Sequence, residues 1–331
     1  MSIEEVLLHS FLDDCPLDGN SFEVSNGRAK TDINADYWLL RCAPRLWRPY
    51  LVLMRIDRPI GIWLVLLPAL QGLFLAQIGR DVTASFIMTL LVFFLGAVSV
   101  RSAACVINDI VDRKIDAQVS RTRNRPLVTG AVRVRGAMIC VAALGGFSLA
   151  LLAILPIAVS AWAVLAAVLI AAYPFTKRFI VWPQIFLGAV INFGVFFAGA
   201  ASHIDMDWRF YVLYLANITW TLGYDTVYAY QDQKDDERIG VYSSARNITP
   251  FGVAACYTAY SFLISTVLYA SSGFGLWMIF WFACVVQLTW QVVRIDRKQP
   301  AVNGALFRSN RFAGGLILAG FVVTAFTTHI S

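Results

Sequence analysis

The sequence has little charge, little histidine and no paired cysteines. Asp, Glu, Lys and Arg make up 15% of its 331 residues, against about 25% in an ordinary soluble domain. His9, His203 and His329 are far apart, which argues against a histidine-built metal centre. The six cysteines, at 15, 42, 105, 140, 256 and 284, include no close pair. No redox CxxC or dense disulfide framework is therefore indicated, and they read as packing residues. The net charge of +6 is too dispersed for a nucleic-acid surface, and no segment demands an obligatory protein partner. The apolar runs lack the period-two alternation of strands, which excludes a membrane barrel.

What the sequence has is hydrophobicity: 58% apolar residues and a mean hydropathy of +0.65. That composition belongs to a polytopic helical membrane protein embedded in a lipid bilayer. Nine apolar segments approach the length needed to cross about 30 Å of hydrocarbon. They lie at roughly 60–78, 84–107, 134–155, 157–175, 184–202, 209–231, 250–270, 273–293 and 311–329. The expected fold is all-α. Lys and Arg concentrate before the first segment and after the second, fourth, sixth and eighth, as in Arg113, Lys114, Arg121, Arg123, Arg125, Lys177, Arg178, Arg294, Arg297, Lys298 and Arg308. The positive-inside rule then places those connections and the N-terminus on the cytosolic side. Residues 1–36 hold eight acidic residues against Arg28 and Lys30, with no apolar core. This reverses the composition of a mitochondrial transit peptide. We expect a flexible acidic cytosolic tail over 1–36, a membrane domain over 37–331, and an endoplasmic-reticulum or other endomembrane setting in preference to the mitochondrial inner membrane. Trp38, Trp47 and Tyr50 among arginines suit a helix lying in the interface.

The chemistry concentrates at two acidic stretches. Asn108, Asp109, Asp112 and Asp116 follow the second apolar run and would share one face of a continuing helix. Such a crowd of oxygens repels itself and calls for a hard cation, Mg²⁺ before Zn²⁺. Asp225, Asp232 and Asp236 form a second stripe with spacings of 7 and 4, the deepest of them about 10 Å below the interface. Arg121 and Arg125 lie in a basic loop just after the first stretch. Topology alone is one explanation of that loop, and contacts to a metal-bridged diphosphate are the other. Arg55 leads into the first segment, where it is either a topology anchor or an anion contact. Arg101 lies within the second segment and should face the interior, since a lipid-facing Arg is costly. Pro174 ends the fourth segment between Tyr173 and the pair Lys177 and Arg178. Asn192 is the polar residue of the fifth segment; packing is its plainer role, and substrate contact its functional one.

Acids, cations and a greasy interior together fit a substrate with a diphosphate head and a hydrocarbon tail. The acids and metal would bind the diphosphate as a leaving group. Aromatic faces would stabilise the allylic cation, and a phenolic acceptor near Asp225 would capture it. A transporter would instead carry its acids at the midplane, with paired repeats.

On these residues the chain resembles the UbiA superfamily of intramembrane aromatic prenyltransferases. The run from Asn108 to Asp116 resembles its first aspartate-rich motif, and Asp232-x-x-x-Asp236 its second. Arg55 to Gly61, Arg121 to Pro126 and Tyr173-Pro174-x-x-Lys177 also resemble family segments, and the likeness covers about residues 45–325. The resemblance implies nine transmembrane helices around a central cavity open to lipid. It implies Mg²⁺ held by Asn108, Asp112, Asp232 and Asp236; Asp109 and Asp116 are further metal-ligand candidates from the acidic face itself. It also implies diphosphate contacts from Lys177 and the basic residues, and Tyr173 near the reacting carbon. Within the family the chain is similar to 4-hydroxybenzoate polyprenyltransferases. The acidic tail favours the fungal enzymes that farnesylate orsellinic-type phenolic acids in meroterpenoid pathways over a polyprenyltransferase of ubiquinone biosynthesis.

Overall fold

The computed structural model describes residues 33, 34, 36–176, 179–240 and 242–328. Most of the acidic stretch over 1–36, together with Lys177 and Arg178, lies outside the described residues, as does the Asp236 side chain. Among the described residues the protein is all-helical. Two short helices, α1 (Trp38–Cys42) and α2 (Arg48–Leu53), precede the first long one. Trp38, Leu46 and Trp47 are exposed there, as expected of an interfacial segment. The bundle follows as α3 (Ile60–Gln77), α4 (Ala84–Val111), α5 (Arg113–Asp116), α6 (Pro126–Thr129), α7 (Val134–Leu152) and α8 (Ala158–Thr176). It continues as α9 (Pro183–Ile191), α10 (Gly194–Ala201), α11 (Trp208–Ala229), α12 (Gln233–Ile239), α13 (Pro250–Ser272), α14 (Trp277–Arg294) and α15 (Pro300–Thr327).

Seven of these passages have the length and hydropathy of membrane spans, taking α9 and α10 as one. α8 and α11 bring the bilayer-length passages among the described residues to nine. Starts are written locally. Thr83 and Thr249 accept hydrogen bonds from Phe86 N and Gly252 N, and Pro183, Pro250 and Pro300 occupy first turns, where a missing N–H costs nothing. The last helix begins at Pro300, a full 11 residues before the apolar run that marks it in the sequence. Its polar first turns are helical because Asn303 and Asn310 point inward. Arg308 therefore sits on a helix, not in a loop.

Packing closes into a circuit that runs α3, α4, α8, α9, α11, α13, α14, α15 and back to α3. α3 is the inner helix, 67% buried, whereas α7 is 11% buried and turns its apolar side chains outward. Close approach is permitted by Gly194, where an added Cβ would lie 2.4 Å from that of Ala69. A cluster of Leu53, Val106, Leu127, Val132 and Ala137 fastens α2, α4, α6 and α7 beneath the first acidic stretch.

Candidate active site

The first acidic stretch is not one continuous helix. α4 ends at Val111, and Asp112 caps it with φ −87° and ψ 4° before the single turn of α5. The four oxygen-bearing residues differ in their surroundings. Asp109, 1% exposed, accepts from Arg55 Nη2 at 2.6 and 2.9 Å and from Arg125 Nη1 at 3.0 Å. Arg125 also donates to Asp116 at 2.8 Å. Arg55 holds this position on left-handed backbone, φ 61°, a conformation that costs a non-glycine residue about 1–3 kcal/mol. Asp109 and Asp116 thus sit against guanidiniums. Asp112 is buried, and Asn108 Oδ1 is buried with no hydrogen-bond partner among the described residues. A buried, unmatched amide oxygen is expensive, and it suits a hard cation.

The second stretch is interrupted too, which corrects the straight stripe expected from the sequence. α11 stops at Ala229 and the chain turns through Tyr230 to Asp232 before α12. The turn is pinned by the Tyr230 hydroxyl, which donates to Ile248 O at 2.8 Å, and by Arg297 stacked over its ring. Asp225 remains on α11, half-buried, with Asp232 beyond the helix end.

The fold brings the two stretches together. Arg121 Nε donates to both oxygens of Asp232, at 2.9 and 3.1 Å, across 111 positions of sequence. Its Nη1 donates to the Tyr228 hydroxyl at 2.7 Å, and the guanidinium lies over that ring. Ser120 N donates to Asp235 Oδ2, and Arg238 to Gln118 O. The basic loop is therefore the bridge between the acidic stretches. Among the described residues no three His, Cys, Asp or Glu side chains converge closely enough to hold an ion by themselves. Asn108 Oδ1 is a buried oxygen without a hydrogen-bond partner among the described residues, whereas Asp232 is engaged by Arg121.

One layer deeper, the Tyr224 hydroxyl meets Thr221 on its own helix, with Asp225, Arg101 and Tyr173 in its surroundings. Tyr224 is fully buried at the centre of this group and went unnoticed in the sequence, where one more Tyr in an apolar helix carries no signal. Asn192 is also fully buried; its amide donates to Gly188 O and to Thr221 Oγ1 at 2.8 and 3.0 Å, at the break between α9 and α10. The structure gives it a packing role and places it one turn from Tyr224 along α11.

The UbiA prenyltransferase family matches residues 65–324. The chain belongs to that family. This UbiA protein is an enzyme, an aromatic prenyltransferase. It is 39% identical over 288 residues to the 4-hydroxybenzoate octaprenyltransferase of Nitrosomonas europaea, covering 85% of this chain and 97% of the relative. It is 37% identical to that of Pseudomonas aeruginosa, over 86% and 95% of the two chains. Among solved structures, a UbiA homologue from Aeropyrum pernix superposes with a TM-score of 0.67 at 25% identity, covering 79% of this chain and 97% of that one. A second, from Archaeoglobus fulgidus bound to DMAPP and Mg²⁺, gives 0.60 at 21% identity over 85% and 99%, a likeness of fold.

Proposed function

We propose that this UbiA protein transfers a polyprenyl group from an isoprenyl diphosphate to 4-hydroxybenzoate, with a divalent metal, in an integral membrane setting. The observation that carries the proposal is the meeting of two acidic stretches through Arg121, in a chain similar along 85% of its length to a 4-hydroxybenzoate octaprenyltransferase. The relatives favour this reading over the farnesyl transfer to an orsellinic-type acid that the tail composition pointed to, and nothing in them supports a meroterpenoid pathway. They come from bacteria, which supports an inner membrane, and with it ubiquinone formation, over an endomembrane.

Asn108, Asp112 and Asp232 would hold the Mg²⁺, joined by Asp236 on the family resemblance. Bound there, the metal would neutralise the diphosphate and make it a better leaving group. Arg121 is positioned to exchange its carboxylate for a diphosphate oxygen, since its planar fork suits both. Arg55 and Arg125 keep Asp109 and Asp116 in place and add positive potential to the same end of the bundle. Lys177 and Arg178 complete the cationic rim on the family resemblance. Asp225 orients the acceptor hydroxyl and takes its proton as the ring is attacked. Tyr173, Tyr224 and Tyr228 offer aromatic faces to a developing allylic cation, while the apolar interior keeps water from it.

The test is direct. Proteoliposomes containing the purified chain are given Mg²⁺, 4-hydroxybenzoate or orsellinic acid, and diphosphates of graded prenyl length, and the products are weighed by mass spectrometry. Prenylated 4-hydroxybenzoate is the expected product. Turnover of orsellinic acid with farnesyl diphosphate, and none of 4-hydroxybenzoate, would restore the other reading.

A further inference from the structure

A second cationic region lies away from the acidic stretches, where α1 and α2 meet the start of α7. Arg45 sits between α1 and α2, and Arg133 and Arg135 sit at the first turn of α7. All three are exposed, and none forms an ion pair among the described residues. The one carboxylate described in 33–53 and 130–139 is Asp36, which pairs with Arg41 at 2.8 Å, an exposed contact of little strength. The two parts are packed together. A Cβ on Gly136 would lie 2.6 Å from the Tyr50 hydroxyl, so the glycine leaves room for the Tyr50 ring against α7. Tyr50 and Leu53 then share a cluster with Val132 and Ala137.

The arginines alternate with exposed apolar side chains. Trp38, Leu46 and Trp47 flank Arg45, and Val134, Met138 and Ile139 flank Arg133 and Arg135. Below them α7 is 11% buried, the least of the seven long apolar passages, so hydrocarbon covers its length. Cations at headgroup level above an apolar track match one kind of partner, a phospholipid of net negative charge. Its phosphate oxygens suit guanidiniums, and its chains suit the track. A soluble acidic partner would match the arginines alone.

We propose that α1, α2 and the start of α7 form a binding site for an anionic phospholipid of the cytosolic leaflet, and that its occupancy tunes the enzyme through Arg55. Arg55 follows α2 by two residues and holds Asp109 from left-handed backbone. Such a conformation persists where its surroundings enforce it, and here the enforcement comes from α2 packed on α4, α6 and α7. Asp109 adjoins Asn108. A headgroup that fastens α2 to α7 therefore steadies the first acidic stretch without touching it. Arg55 is a positioning residue in this scheme, and the lipid site does not depend on which phenol the enzyme prenylates.

The experiment uses the full chain in nanodiscs of phosphatidylcholine with graded fractions of phosphatidylglycerol. Native mass spectrometry counts the lipids retained after release from the discs, and turnover is followed with prenyl diphosphate and 4-hydroxybenzoate. Three variants accompany the parent protein: Arg45, Arg133 and Arg135 all replaced by Gln, the same three replaced by Lys, and a remote control with Arg294→Gln and Lys298→Gln. The parent should retain phosphatidylglycerol in preference to phosphatidylcholine, less so at high salt, and its turnover should rise several-fold with the anionic fraction. Each cation near an anionic surface strengthens attraction about fivefold, so the triple Gln variant should retain the lipid about 10²-fold more weakly. Its turnover should stay at the level the parent shows in phosphatidylcholine alone, with an unchanged melting temperature in detergent. The triple Lys variant should keep most of the retention, and the control should behave as the parent. Undiminished retention in the triple Gln variant, or an equal loss in the control, would reduce the site to diffuse surface charge and overturn the proposal. Displacement of the lipid by inorganic phosphate would reassign the arginines to a small anion and overturn it equally. Preferential retention with turnover flat across all lipid fractions would sever the link to Arg55 and defeat the proposal as stated. Retention is read without turnover, so an enzyme inactive on 4-hydroxybenzoate would count against the acceptor reading and leave the lipid site to be decided by mass.

Discussion

Deep in the bundle, Asn217 donates to Gln71 Oε1, Trp220 to Asn310 Oδ1, Asn310 to Gln291 Oε1 and Tyr257 to the same Gln291 oxygen, at 2.9–3.1 Å. These neutral groups are almost completely buried and join α3, α11, α13, α14 and α15. At the helix ends the polar groups are charged instead: Arg55, Arg121 and Arg125 against Asp109, Asp116 and Asp232. The two networks answer different physical demands. Neutral amide bonds in an apolar interior fix helix register and gain nothing from a ligand, because breaking one leaves both partners unmatched. Charged pairs can trade one counter-ion for another of the same sign, which is what a site for metal and diphosphate requires. The prediction is that damage to the first network lowers stability with catalysis spared, and damage to the second lowers catalysis out of proportion.

The largest effect should come from Asp112→Ala. It removes a buried carboxylate from the layer of Asn108 Oδ1 and should reduce turnover by at least about 10⁴-fold, or ~5.5 kcal/mol. The melting temperature in detergent should change little. EDTA should do the same to the unaltered protein, with recovery on adding Mg²⁺. A chelator-insensitive enzyme, or one that turns over normally without Asp112, removes the metal from the scheme. Next comes Arg125→Met, which leaves Asp109 and Asp116 short of a shared cation. Breaking a buried pair from one side costs about 3–5 kcal/mol, so this substitution should lower both melting temperature and activity. Activity lost with stability intact would instead make Arg125 a substrate contact. Asn310→Leu attacks the neutral network, orphaning the Trp220 indole N–H. The expected cost is about 1–3 kcal/mol in stability, with kcat/KM preserved among the molecules that remain folded. A specific loss of kcat there would erase the distinction between the networks.

The spans, the two acidic stretches and the basic loop between them can all be read in the sequence, because hydropathy and charge are local properties. The helix breaks cannot. Asp112 and Tyr230 interrupt their helices with no Gly or Pro to announce it; the turn at Tyr230 is held by Ile248, 18 positions along the chain. For the same reason the pairing of Asp109 with Arg55, 54 positions away, is invisible until α2 and α4 pack. Both residues were legible as functional candidates, but their mutual neutralisation was not. The inward polar turns of α15 looked like loop, since Asn and Arg carry no helical signal without the partners they meet inside.

The smallest expected effect asks where one network ends and the other begins. Thr221 accepts from the Asn192 amide at 3.0 Å and lies three residues before Tyr224 on α11. It therefore belongs chemically to the neutral network and spatially to the acceptor layer. Thr221→Val keeps the shape and removes the acceptor, which should cost about 1 kcal/mol of stability. If the break between α9 and α10 also holds the acceptor layer in register, KM for 4-hydroxybenzoate should rise a few-fold while KM for the prenyl diphosphate stays fixed. A change confined to stability would place the boundary below Tyr224. A change in the diphosphate KM would show that the two networks are mechanically one, and the comparison drawn above would lose its footing.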